Sequence, residues 1–119
     1  MKRRLSLMVM SGIEDGTLLE FTTAKGDGEI LSDKWTLGIG RRDENDICLH
    51  NDTYVSRQHA RLHLKNDAWW LEDLNSTNGT FIENPENFFD DQPVKGFIQL
   101  QEERLFRVGR TWLRIQKTE

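Results

Sequence analysis

Hydrophobic residues in this chain recur mostly at every second position, in short runs broken by polar, glycine-containing segments. Leu5, Leu7 and Val9 alternate with Ser6, Met8 and Met10, which predicts a first strand, and Ser11-Gly12 with Asp15-Gly16 supplies turn chemistry after it. Thr17 to Thr22 reads as a second strand, and Lys25 to Ser32, holding Gly26, Asp27 and Gly28, reads as a surface loop. Trp35, Leu37 and Ile39 alternate into Gly40 as a third strand, with Arg41 where it ends. After a polar turn at Arg42 to Asp46, Ile47 to Leu49 predicts a short apolar strand, and His50 to Arg57 a second polar loop. Ala60, Leu62 and Leu64 then alternate with Arg61, His63 and Lys65. Asn66-Asp67 turns the chain into a returning strand with Trp69, Leu71 and Asp73 on one face and Trp70 and Glu72 on the other. A third polar loop, Asn75 to Gly79, precedes Thr80-Phe81-Ile82. Asn84 to Asp91 is polar around Pro85 yet carries Phe88-Phe89. Extended pieces follow around Val94, Phe97 to Leu100 and Leu105 to Val108, and then, beyond Gly109-Arg110, Thr111 to Gln116.

No segment holds a helical period, so the short strands, frequent turns and four tryptophans predict an all-β sandwich or barrel. The tryptophans are expected in its core, except Trp70, whose face the alternation leaves open. A length of 119 residues suits one domain, taken as 1–119.

Three of the loops are rich in residues suited to holding a phosphate: Gly40-Arg41, Ser56-Arg57-Gln58-His59 and Asn75-Ser76-Thr77-Asn78-Gly79-Thr80. Each lies at the edge of a predicted strand, so pairing into one sandwich would bring them to one end. A phosphothreonine carries between one and two negative charges and three strong acceptor oxygens, and its receptor needs several donors on a fixed frame. Arg41 offers a planar fork of donors, Ser56 and Thr77 short hydroxyls.

Composition narrows the alternatives. A formal charge of -4 disfavours nucleic-acid binding, and Arg41, Arg42, Arg57 and Arg61 sit in acidic surroundings with no recognition element. Cys48 is the single cysteine, so no internal disulfide forms; this suits a reducing compartment, and a cytoplasmic location is expected. Leu5 to Met10 is too short for a signal peptide and no stretch approaches a membrane span, so no membrane insertion is expected. Cys48, His50, His59 and His63 invite a metal reading, but strand positions four apart are separated by about 13 Å. No metal or cofactor is expected. Ser56 with His59 lacks a nucleophile elbow and an orienting acid, so the chain is not expected to be an enzyme.

Gly40-Arg41, Asn45-Asp46-Ile47, Ser56-Arg57-Gln58-His59-Ala60 and Asp73 to Thr80, continuing to Gly109, resemble the forkhead-associated (FHA) domain. Singly these motifs are weak; their order, spacing and placement at strand ends are together specific. The resemblance spans roughly Trp35 to Ile115 and, more loosely, the N-terminal strands. It implies a β-sandwich of about eleven mostly antiparallel strands that binds phosphothreonine peptides through loops at one end. By family pattern Arg41, Ser56 and Thr77 contact the phosphate, with Arg57 beside them as a further side-chain or backbone donor. The Asn78 amide bonds the peptide backbone next to the phosphothreonine. Gly40 and Gly79 are read as permissive turn positions and His59 as a brace for the loops. Thr53, Tyr54 and Val55 lie where the family reads residues beyond the phosphothreonine.

The implied partner is a protein phosphorylated by an upstream Ser/Thr kinase, which the module recruits without catalysis. The class-different rival is a scaffold that keeps the fold but joins an assembly without phosphate. Residue by residue the plainer readings are a surface ion pair of Arg41 with Asp43, Glu44 or Asp46, a structural Arg57, and a simple turn for Asn75 and Ser76. Two departures stand out: Glu103-Arg104 where many FHA domains carry Gly-Asp in the last hairpin turn, and an apparent insertion at Asn84 to Asp91. Within it Phe88-Phe89 is read first as a plug over the sandwich and second as a contact surface.

Overall fold

The period-two alternation is realised as two six-stranded sheets packed face to face. The computed structural model describes residues 2–87 and 89–118, the side chains of Lys117 and Thr118 excepted. Its strands are β1 (Arg4–Val9), β2 (Leu18–Thr22), β3 (Glu29–Leu31), β4 (Lys34–Gly40), β5 (Ile47–Cys48), β6 (Ala60–Lys65), β7 (Ala68–Asp73), β8 (Thr80–Ile82), β9 (Gln92–Pro93), β10 (Phe97–Leu100), β11 (Leu105–Val108) and β12 (Thr111–Thr118). One sheet runs β2-β1-β12-β11-β8-β9, the other β10-β7-β6-β4-β3 with β5 added to β4. Only the β4–β5 pair is parallel among the described strands. Twelve strands against about eleven leaves the expected sandwich intact.

The core sits between the sheets. Leu5, Leu7 and Val9 of β1, with Phe106, Val108, Leu113 and Ile115 of β11 and β12, face Trp35, Leu37, Ile39, Leu62, Leu64, Trp69 and Leu71 of the other sheet, all buried. Trp35 and Trp69 tilt against each other with ring centroids 6.0 Å apart, a spacing within the range favoured by aromatic pairs. Trp70 falls on the outer face, half-buried. Trp112 does too, contrary to expectation, because β12 turns Leu113 and Ile115 inward. Its ring lies instead on the outside near the Arg107 guanidinium, 5.6 Å from the centroid.

Other boundaries moved for identifiable reasons. Glu29–Leu31, inside the expected loop, pairs with β4 as an edge strand; its three residues are all exposed, so no buried alternation advertised it. Val94 lies just beyond β9, buried, with its N–H donated to the Thr80 carbonyl at 2.9 Å. The hairpin at Asn66-Asp67 holds, with φ of 52° and 60°, the left-handed pair that a two-residue turn requires. Glu103-Arg104 is not in the last hairpin: it lies on the crossover from β10 to β11, between sheets, and the last hairpin turn is Gly109-Arg110. Asn84 to Asp91 lies in the connection between β8 and β9, which pair antiparallel. Phe88 lies outside the described residues; Phe89 is 98% exposed, so it plugs nothing.

Strand direction decides where the loops meet. β4 and β7 end, and β6 and β8 begin, at the same end of the sandwich, and the β11–β12 turn reaches that end as well, where Gly109 approaches Val55.

Candidate functional site

Ser56 is the junction of the three phosphate-suited loops. Its carbonyl accepts the N–H of Arg41 at 3.0 Å, its own N–H is donated to Nδ1 of His59 at 2.9 Å, and its Oγ accepts the N–H of Thr77 at 3.2 Å. One half-buried serine thus ties the β4 end, its own loop and the β7–β8 loop together, while its hydroxyl hydrogen remains to be donated.

His59 braces the same loops from beneath. It is fully buried, and its Nε2 lies 2.9 Å from the Gly79 carbonyl. Because Nδ1 accepts from Ser56, the proton belongs on Nε2, which donates to Gly79; the ring is neutral in this arrangement. Burial pushes its pKa below the usual histidine value, outweighing the Gly79 carbonyl and the Asp73 carboxylate, which act in the opposite direction. Protonating Nδ1 would sever the bond to Ser56.

The two glycines serve by different physics. Gly79 has φ of 87°, a left-handed conformation that favours glycine, as expected of a turn position. Gly40 is a strand residue with no positive φ; a Cβ there would run into the Arg57 carbonyl and the Asn45 amide. Its requirement is close approach of backbone, which corrects the reading of it as a permissive turn. The Asn45 Nδ2 fills that space by donating to the Arg57 carbonyl at 2.7 Å and the Arg42 carbonyl at 2.9 Å.

The donors themselves are available. Among the described residues no side-chain hydrogen bond or ion pair engages Arg41 or Arg57. The plainer reading, an ion pair of Arg41 with Asp43, Glu44 or Asp46, is not found among the described residues; Asp46 instead accepts the backbone N–H groups of Gly28 at 2.9 Å and Gly38 at 3.0 Å. Thr77 is exposed with its hydroxyl unengaged, and Asn78 is exposed with one amide hydrogen donated to the Tyr54 carbonyl at 2.9 Å. That bond leaves the Asn78 oxygen and its second hydrogen open, and draws the Thr53–Val55 segment against the β7–β8 loop.

Several residues that shape the site went unrecognised in the sequence. Asp73 knots the β7–β8 loop: one oxygen accepts the Ser76 hydroxyl at 2.6 Å and the Thr80 hydroxyl at 2.7 Å, the other the Ser76 N–H at 3.1 Å. Ser76 Oγ in turn accepts the Gly79 N–H at 3.0 Å, and Asn75 takes φ of 58°, so the turn reading of both residues holds. Asp52 joins the β11–β12 turn to the site by accepting the Arg110 N–H at 2.8 Å and the Thr111 hydroxyl at 2.7 Å, while the Arg110 guanidinium lies 4.1 Å from the Tyr54 ring centroid. The available signal was an Asp or Asn within or beside each polar loop, a residue type that accepts backbone N–H groups there.

Geometry and motifs therefore describe a β-sandwich with donors gathered at one end, and the comparisons with known proteins agree. The family model of the FHA domain matches residues 37–109, and the chain belongs to that family. A 62-residue stretch is 40% identical to the FHA domain-containing protein FhaB of Mycolicibacterium smegmatis, covering 48% of this chain and 39% of that protein. A 58-residue stretch is 38% identical to the oxoglutarate dehydrogenase inhibitor of Corynebacterium jeikeium, covering 48% of this chain and 40% of that protein. The match thus spans well under half the length of these curated relatives. The fold resembles the crystal structure of the FHA domain of the CT664 protein from Chlamydia trachomatis, with TM-score 0.71 and 24% identity over 96% of this chain and 97% of that one. It also resembles a chain from a structural and functional analysis of phosphothreonine-dependent FHA domain interactions, with TM-score 0.67 and 26% identity over 98% and 97%.

Proposed function

We propose that this chain is a non-catalytic module that binds phosphothreonine peptides and so recruits a partner after a Ser/Thr kinase has acted on it. The observation that carries the reading is the Ser56 junction: three loops tied to one residue that takes the Arg41 N–H, with an Arg41 guanidinium that no acid among the described residues neutralises. Arg41 takes the phosphate with its planar fork, Ser56 and Thr77 add hydroxyl donors, and Arg57 lends a second cation. Asn78 orients the peptide with the oxygen and hydrogen that its bond to Tyr54 leaves open. Preorganised donors spare the entropy of ordering loops on binding. The likeness to a chain studied for phosphothreonine-dependent FHA interactions supports the same reading.

The phosphate-blind scaffold is the weaker alternative, because such a surface has no need of Arg41, Ser56, Thr77 and Asn78 together. Burial of the threonine γ-methyl would contribute only about 0.8 kcal/mol, so any strong bias against phosphoserine comes from peptide conformation as well.

The test is a titration of a degenerate phosphothreonine peptide pool against unphosphorylated and phosphoserine pools, with wild type and Arg41→Ala. Hydrogen bonds to charged groups contribute about 1.5 to 3 kcal/mol, so Arg41→Ala is expected to weaken binding ten-fold or more. Binding that ignores phosphorylation, or that survives the substitution, overturns the proposal.

A further inference from the structure

Two surfaces outside the phosphate-suited loops are not used by the peptide-binding reading. The first is a concavity of about 480 Å³ on the outer face of the β10-β7-β6-β4-β3 sheet, lined by Lys34, His63, Lys65, Ala68, Trp70 and Phe97 among others. Its floor is rigid: the buried His63 has one ring nitrogen 2.8 Å from the Thr36 hydroxyl and the other 2.9 Å from Glu72, and its ring lies 5.4 Å from that of Phe97. Phe97 is 57% exposed and Trp70 half-exposed above it. At the rim Lys34 and Lys65 have no ion pair among the described residues, since nearby Glu72 serves His63 and Asp67 serves Arg3. The surface is aromatic and locally cationic in a chain whose net charge is -4.

The second feature is its chemical complement. The β8–β9 connection exposes Phe89 almost completely, with Glu86 and Asp90, both exposed, on either side of it in sequence. The near-complete exposure of Phe89 shows that its ring does not fill the concavity of its own chain. Large exposed aromatics beside a complementary surface mark contact sites.

We infer that the chain self-associates through these two surfaces, the acidic Phe89 loop of one copy seating on the Trp70–Phe97 shelf of a second, with Lys34 and Lys65 facing Glu86 and Asp90. Each copy holds one loop and one shelf, and in a two-fold pair both contacts form and the association closes at a dimer. Arg41, Ser56, Thr77 and Asn78 line neither the shelf nor the Phe89 loop. If the phosphate-suited loops bind phosphothreonine as proposed above, a dimer presents two of them and gains avidity for a multiply phosphorylated partner.

The experiment is analytical ultracentrifugation of the full chain over a range of concentrations and salt. Wild type is expected to show a concentration-dependent dimer that salt weakens. Phe89→Ser, Lys34→Glu with Lys65→Glu, and Glu86→Lys with Asp90→Lys should each weaken dimerisation about ten-fold or more. An equimolar mixture of the two charge-reversed proteins should associate again, because each loop then meets a shelf of opposite charge. Unchanged circular dichroism and melting establish that the variants are folded. A wild type that stays monomeric up to about 1 mM, a dimer indifferent to these substitutions, or charge-reversed proteins that fail to recombine overturns the inference. None of these readouts depends on peptide binding, so it stands or falls apart from the proposed function.

Discussion

The two ends of the sandwich differ in how their loops are held. At the phosphate-suited end, side chains bond across long stretches of sequence: Asn45 to Arg57, His59 to Gly79, Thr77 to Ser56 and Asn78 to Tyr54, over 12, 20, 21 and 24 positions. At the other end the β8–β9 loop bonds mainly to itself, Asn84 accepting from Glu86 and Asn87 from Phe89 at a separation of two residues. A loop bonded only to itself keeps its local shape but not its place relative to others. A site that must present several donors to one ligand needs the first kind of construction, and a projecting contact loop is served by the second.

The comparison predicts a graded set of effects. His59→Ala should be the most damaging, since it opens a buried cavity and strands the Ser56 N–H and the Gly79 carbonyl; a loss of about 3 to 4 kcal/mol is expected in urea unfolding. A loss below about 1 kcal/mol would mean that the loops hold together without their brace. Arg41→Ala should be the converse, changing stability by no more than about 0.5 kcal/mol while weakening phosphopeptide binding ten-fold or more. If it destabilises the fold as His59→Ala does, bracing and binding residues are not separate groups.

Acidification probes the same brace. The folded-state pKa of His59 is lowered by burial, so the unfolded chain takes up this proton first, near pH 6.5. The stability linked to a neutral His59 is therefore complete above that pH and declines as pH falls toward the lower folded value. His63, also lowered by burial against the opposing pull of Glu72, adds to the same slope. Denaturant midpoints measured between about pH 7.5 and 5 should fall, less steeply in His59→Gln; identical slopes would remove His59 from the account. The smallest effect belongs to the far loop. Phe89→Ser should alter monomer stability by no more than about 0.5 kcal/mol, and a larger loss would show that the ring supports the fold after all.

Much of this was legible in the chain itself. The alternation of Leu5 to Val9, Trp35 to Ile39, Ala60 to Lys65 and Trp69 to Asp73 determined strands and their inward faces, because side-chain direction in a strand repeats every two residues and needs only local information. Asn66-Asp67 determined a tight turn for an equally local reason. The motifs around Arg41, Ser56 and Asn78 singled out the loops that later converged.

Only the tertiary structure decided the rest. That Gly40 must be glycine follows from the Arg57 carbonyl and the Asn45 amide packed against it, which lie close only once β4 and the β5–β6 loop are in place. The brace at Asp73, the outward Trp112 and the edge strand Glu29–Leu31 likewise depend on which strands become neighbours. Burial and bonding across distant positions are properties of the assembled sheets, and a period-two pattern read along one strand carries no record of them.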